Sequence, residues 1–251
     1  MIKKILLLSL WVTLSSAHLS IQKEFSLATA SIEMDNKNIT VTIGKKSIKL
    51  EKPSDYKDIL EFAERYNLVE VDDYNFDGYS DIAIISGIGY GGVNIFREYY
   101  FYDPKDRNYH KFSKALTNIE VNRQKETLTS NAKVGARFIE AEYKIKGGIP
   151  ILSWEKELVL ENLFVIRAYN EKGKKTETTY EPSSMAIGVE KAYFHSKPNE
   201  KNREKGYVVK DDKVEIIGID NNYAWLKIKY KTNKKSYIKW IKSETVYVPN
   251  L

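Results

Sequence analysis

Short runs of β-branched and aromatic residues, each closed off by a turn signal, recur along nearly the whole chain, and this spacing leaves it few folds. Such residues fit a pleated, half-buried surface, and runs of this length read as strands. Tyrosine (18) far outnumbers proline (6), the balance of a mainly antiparallel β protein. Strands are expected over residues 31–34, 39–43 and 47–50, with Thr40 and Thr42 alternating against Ile39, Val41 and Ile43 so that one face is wet. Further strands are expected over 68–71, 82–85, 93–102, 136–145, 153–160 and 164–169. A helix is expected over 54–66, where Tyr56, Ile59, Leu60, Ala63 and Tyr66 recur at helical spacing behind a Ser54 cap. Residues 172–184 are rich in lysine, threonine and serine and lack apolar periodicity, which marks a boundary. Beyond it, strands over 207–209, 213–217, 224–230 and 236–241 suit a small barrel. The reading is a calcium-loop β domain over 18–183, a β-sandwich or propeller-like arrangement with one helix, and a small second domain over 184–251.

The start of the chain reads as an export signal over residues 1–17. Lys3 and Lys4 precede an apolar run over 5–14, and Ser15, Ser16 and Ala17 supply small residues for cleavage. That run is shorter than the roughly 20 residues a membrane-spanning helix needs. There is no cysteine, which excludes disulfides, thiolate metal sites, cysteine nucleophiles and lipid attachment through an N-terminal cysteine. A periplasmic location is expected. The 40 basic and 34 acidic residues become 38 and 34 when Lys3 and Lys4 are removed, a net +4. That excess does not argue for nucleic acid and favours an acidic protein or an anionic wall polymer.

The most specific chemistry lies in Asp73-Tyr74-Asn75-Phe76-Asp77-Gly78-Tyr79-Ser80-Asp81. Oxygen-bearing side chains fall at alternate positions, and Gly78 follows the third where the chain must turn sharply. Calcium takes six to eight oxygen ligands, which a tightly wound loop supplies from alternate residues. The spacing predicts side-chain ligands at Asp73, Asn75, Asp77 and Asp81, with the carbonyl of Tyr79 between the last two. Ile84 stands where a calcium-sensing helical hand carries its bidentate glutamate, so a structural ion between strands is expected. Asp72 should point away from the loop.

Other motifs carry less. Gly87-Ile88-Gly89-Tyr90-Gly91-Gly92 satisfies a dinucleotide fingerprint, but a strand pattern follows it where the phosphate-binding helix should begin. What remains is a tightly turning loop with Tyr90 at its tip, and Gly89, Tyr90 and Gly91 are the candidate partner contacts. His18, His110 and His195 show no zinc spacing. Glu140, Glu142, Glu155 and Glu157 alternate within expected strands and read as solvated faces. No catalytic constellation appears, and a non-enzymatic protein is expected.

The region over 68–160, with its Asp-Asp-Tyr-Asn-Phe-Asp-Gly-Tyr-Ser-Asp loop, glycine loop and Tyr-Tyr-Phe-Tyr-Asp-Pro run, resembles FG-GAP-like periplasmic proteins. These include immunity proteins against peptidoglycan-degrading toxins delivered by type IV or type VI secretion systems. The resemblance implies a propeller-like scaffold, a calcium ion in the loop and a hydrolase partner. The region over 186–248 resembles a bacterial SH3-like domain through Ser196-Lys197-Pro198, Tyr223-Ala224-Trp225-Leu226 and Tyr237-Ile238-Lys239-Trp240-Ile241. Lys239 stands where that family commonly has glycine. This second resemblance implies an alternative role, peptidoglycan binding through Tyr223, Trp225 and Trp240, although core packing is the expected use of both tryptophans. The main expectation is an inhibitor whose calcium-stiffened hairpin lets neighbouring loops, Tyr90 foremost, enter an enzyme cleft.

Overall fold

The computed structural model describes residues 12–15, 18–24, 29–35, 39–43, 45–50 and 66–248. Among them the fold is built from antiparallel strands, with single 3-10 turns as the only helical geometry. The helix expected over 54–66 lies outside the described residues, apart from Tyr66 at its end.

Strands β1 (Val12–Ser15), β2 (His18–Glu24), β3 (Thr29–Asp35), β4 (Ile39–Ile43) and β5 (Lys46–Leu50) form a sheet in sequence order. β1 falls within the expected export signal and lies at the sheet's edge, so its removal would leave the β2–β5 ladder whole. The alternation over 39–43 is as expected: Ile39 and Val41 are fully buried, and Thr40 and Thr42 are half-exposed.

The second sheet holds β6 (Val69–Asp72), β7 (Asp81–Gly89), β8 (Asn94–Asp103), β9 (Asn108–Lys111) and β10 (Leu116–Thr117), with β7 and β8 at its centre. Asp81, Ile82, Ala83, Ile84 and Ile85 are all completely buried. A continuous apolar run of this kind signals a strand covered on both faces. Ile82 and Ile84 join Ile32, Ile39, Val41, Ile48 and Leu50 in one core, while Ala83 joins Tyr74, Tyr99, Leu116 and Leu128 in another. Each face of β7 is thus packed by a different set of strands.

β11 (Ile119–Asn122), β12 (Thr127–Val134), β13 (Arg137–Lys146), β14 (Ile149–Leu160), β15 (Leu163–Tyr169) and β16 (Lys175–Glu181) follow in sequence order in a third sheet. The fourth contains β17 (Ser184–Ile187), β18 (Lys191–His195), β19 (Arg203–Val209), β20 (Lys213–Ile219), β21 (Trp225–Lys231), β22 (Ser236–Lys242) and β23 (Val246–Tyr247), in the order β19-β18-β22-β21-β20-β17-β23.

Two compact units result. One comprises Met1–Lys133 with Glu142–Ile151, the other Val134–Ala141 with Leu152–Leu251. The fourth sheet begins at Ser184, where the second domain was expected. Its core nevertheless includes Val159, Leu163 and Val165 beside Met185, Ile187, Leu226, Ile228 and Ile241. Residues 175–181, read as part of the boundary stretch, form a strand paired along its length with β15.

Candidate functional site

The loop over residues 73–80 joins β6 to β7, and its alternating oxygens are used as a winding device. Asp73 accepts the Asp77 and Gly78 amides through Oδ1 (3.1 Å) and Oδ2 (2.9 Å). The Asn75 side-chain oxygen takes the same Asp77 amide at 3.1 Å, its Nδ2 donates to Asp77 Oδ2 at 3.0 Å, and Asp77 Oδ1 accepts the Tyr79 amide at 2.9 Å. Two residues occupy the left-handed region, Phe76 (φ 60°) and Gly78 (φ 87°). Only glycine enters that region without strain, which explains its place after the third oxygen-bearing residue.

Asp81 closes the loop from inside. It is completely buried; Oδ2 accepts the amides of Tyr74 (3.0 Å) and Asn75 (3.3 Å), and Oδ1 that of Tyr102 (2.9 Å). Burial pushes its carboxyl up to about 7; the Tyr102, Tyr74 and Asn75 amides oppose the shift, and the charge of Asp77 adds to it. No cationic side chain among the described residues forms an ion pair with it. Asp72 turns aside, accepting the Asp73 amide and pairing with Arg123. The Tyr79 ring packs on Tyr102 at 5.7 Å.

An all-oxygen donor set beside a buried, unpaired carboxylate is chemistry that fits a hard divalent cation. Asp73, Asn75 and Asp77 would face such an ion, with Asp81 behind them. The three aspartates are not drawn together in one tight cluster: among the described residues, Asp103, Asp106 and His110 are the one group whose ligand atoms all lie within 4.8 Å of one another.

Beside the loop lies a groove of about 610 Å³ lined by Asn75, Asp77, Tyr102, Asp103, His110 and Ile149, among others. The β8–β9 hairpin forms one side of it and the Gly147–Gly148 turn another, where Ile149 is 53% exposed. Nothing local in the sequence announces that the turns at Asp103-Pro104 and Gly147-Gly148, so far apart in the chain, will meet.

Tyr90 is not a neighbour of the loop over 73–80. Asp81 begins β7 and Gly89 ends it, so eight strand steps of about 3.3 Å separate the two by roughly 26 Å. The expectation that the loop would stiffen the Tyr90 turn is therefore corrected: what shares its end of the sheet is the β8–β9 hairpin. At the far end, Tyr90 (φ 50°) is 54% exposed and Val93 is 48% exposed. Gly92 (φ 99°) lies where a Cβ would come within 2.3 Å of the Tyr66 hydroxyl oxygen, so only glycine fits against that hydroxyl. β8 follows the glycine run, as the strand pattern predicts, and no helix is there to receive a dinucleotide.

The three aromatic candidates of the second unit are separately engaged. Trp225 is buried with its ring edge-on to His195 at 4.6 Å, and Trp240, half-buried, pairs with His195 across β18 and β22. Tyr223 donates to Glu157 at 3.1 Å. Glu157, read from alternation as solvated, is buried: Arg167 donates to it at 2.8 Å and to Glu155 at 3.0 Å, and Arg137 pairs with its other oxygen. Burial works to raise the Glu157 carboxyl, but the hydrogen bond and charge of Arg167, with Tyr223 and Arg137, outweigh it and hold it below the usual range. Alternation failed here because two arginines supply, inside the fold, what water supplies outside it.

No family model matches the chain, and no curated protein matches it. It is similar to one solved structure, described as a Xanthomonas type IV secretion system related protein, at 14% identity and a TM-score of 0.38, covering 66% of this chain and 84% of that one.

Proposed function

We propose that this chain is an exported, periplasmic, non-enzymatic inhibitor that binds and blocks a cell-wall-degrading toxin, its scaffold held by calcium in the loop over 73–81. The observation that carries the reading is Tyr90. A large aromatic ring, 54% exposed, stands on a tight hairpin tip in the left-handed region. The tip is braced through Gly92 against Tyr66, so inserting Tyr90 into a cleft would require little further ordering. Aromatic anchors on rigid supports dominate many interfaces.

In this reading a toxin's substrate cleft receives Tyr90, flanked by Gly89 and Gly91, and the enzyme is blocked by occupancy. The first unit keeps the propeller-like role suggested by its motif, and the second keeps an SH3-like role as a supporting barrel. Calcium acts on stability and not directly at the interface, because the loop and the tip lie at opposite ends of β7.

The test is a search for a stoichiometric complex with any cell-wall hydrolase encoded by a neighbouring gene. Co-elution in size-exclusion chromatography is expected, with Tyr90→Ala weakening binding by about 2 kcal/mol, roughly 30-fold. No complex with any neighbouring-gene toxin would overturn the proposal.

A further inference from the structure

We infer that the β8–β9 hairpin carries a transition-metal site, distinct from the oxygen loop, made by Asp103, Asp106 and His110. Their ligand atoms already lie within 4.8 Å of one another. The hairpin brings them together: β8 and β9 pair Asp103 with Asn108 and Phe101 with His110, and Asp106 lies in the turn between. Each aspartate is braced through one oxygen, Asp103 Oδ1 accepting the Lys105 amide at 2.8 Å and Asp106 Oδ1 the Asn108 amide at 2.9 Å. The second oxygen of Asp106 faces His110. His110 Nε2 stands 2.7 Å from Asp106 Oδ2, a hydrogen-bonded separation.

A divalent cation can take the place of the hydrogen between them, bound by neutral imidazole and ionised carboxylate, that hydrogen moving to Nδ1 or to solvent. The donor set decides which cation. Calcium takes oxygen, whereas one imidazole nitrogen with two carboxylate oxygens suits zinc and its divalent neighbours. Three protein donors leave a position open to water or to a group entering the groove, which Asp103 and His110 both line. The base of the hairpin is fixed independently of any metal. Tyr102 packs on Tyr109 at 5.3 Å and gives its amide to buried Asp81, so the donors need little reorganisation. Lys105 and Arg107 carry positive charge in the same turn and moderate the affinity.

The full chain, stripped with chelator and exchanged into buffer, is titrated with zinc chloride while heat and the imidazole nitrogen resonances are recorded. One saturable event is expected, moving the His110 resonances, with at least a roughly 10-fold loss of affinity in both His110→Ala and Asp106→Asn. Both side chains are exposed on the turn, so unchanged near-ultraviolet circular dichroism serves as the folding control. Calcium chloride should leave the His110 resonances in place. No saturation with zinc, or equal zinc affinity in wild type and His110→Ala, would overturn the assignment. Neither result depends on a toxin partner.

Discussion

Asp81 shows how one residue can serve two requirements. Its oxygens satisfy three backbone amides, and that same burial leaves a negative charge without a cationic neighbour. Asp81→Ala orphans those amides, and a loss of about 3 kcal/mol is expected in urea unfolding, since each unsatisfied buried group costs about 1–3 kcal/mol. A loss under about 1 kcal/mol would mean that water reaches the amides and the loop is not closed as described. Gly78→Ala meets no atom within 4 Å at its new Cβ, so its cost is conformational only, about 1 kcal/mol. Calcium should raise the melting temperature of wild type and leave Asp77→Ala unmoved; equal shifts in both would remove the loop as a metal site. Because its aspartates are not tightly clustered here, binding would draw the loop inward around the ion.

At the scale of elements, the strands β13 to β15 are tied by charge as well as by their ladders. Arg137, Arg167, Tyr223 and Glu157 form a network in which the Glu157 carboxyl is held below its ordinary value. A group with a depressed folded-state pKa contributes stability above its unfolded value, and that contribution is lost as the pH falls through the folded one. Stability should therefore decline below about pH 4.5, and Glu157→Gln should flatten that part of the profile. A variant with an unchanged profile would assign the decline to other carboxylates. This network also marks the limit of reading strands from sequence. The strand over 39–43 was legible because one face meets water and the other a core. Residues 108–134, left unassigned, hold four strands, and in β12 the buried positions include Thr127 and Ser130. Ser130 is satisfied by donating to the Thr117 carbonyl at 2.7 Å and accepting the Thr117 amide at 3.3 Å. A polar residue buried against a distant partner leaves no period in the chain. The oxygen-rich loop was legible as a tight turn because all its parts are local, whereas the groove beside it was not, being made where two separate turns meet.

For the whole molecule, the shared core of the second unit bears on how it can be dissected. Val159, Leu163 and Val165 pack with residues beyond Ser184, so a fragment of residues 184–251 lacks part of its interior. Each missing buried aliphatic side chain removes about 1.5–3 kcal/mol of burial. That fragment is expected to melt without cooperativity, while residues 134–251 melt as a unit; a sharp transition in the short fragment would separate the fourth sheet from the strands before it. Wall-binding assays should accordingly use the full chain, comparing it with Trp240→Ala. A last consequence follows from β7, which carries Asp81 at one end and Gly89 at the other. Sites this far apart, with no shared partner, contribute independently to free energy. In a thermodynamic cycle on partner binding, the Asp77→Ala and Tyr90→Ala effects should sum to within about 0.5 kcal/mol. If the proposed function holds, a metal in the loop and a partner at the tip would be free to change independently over evolutionary time.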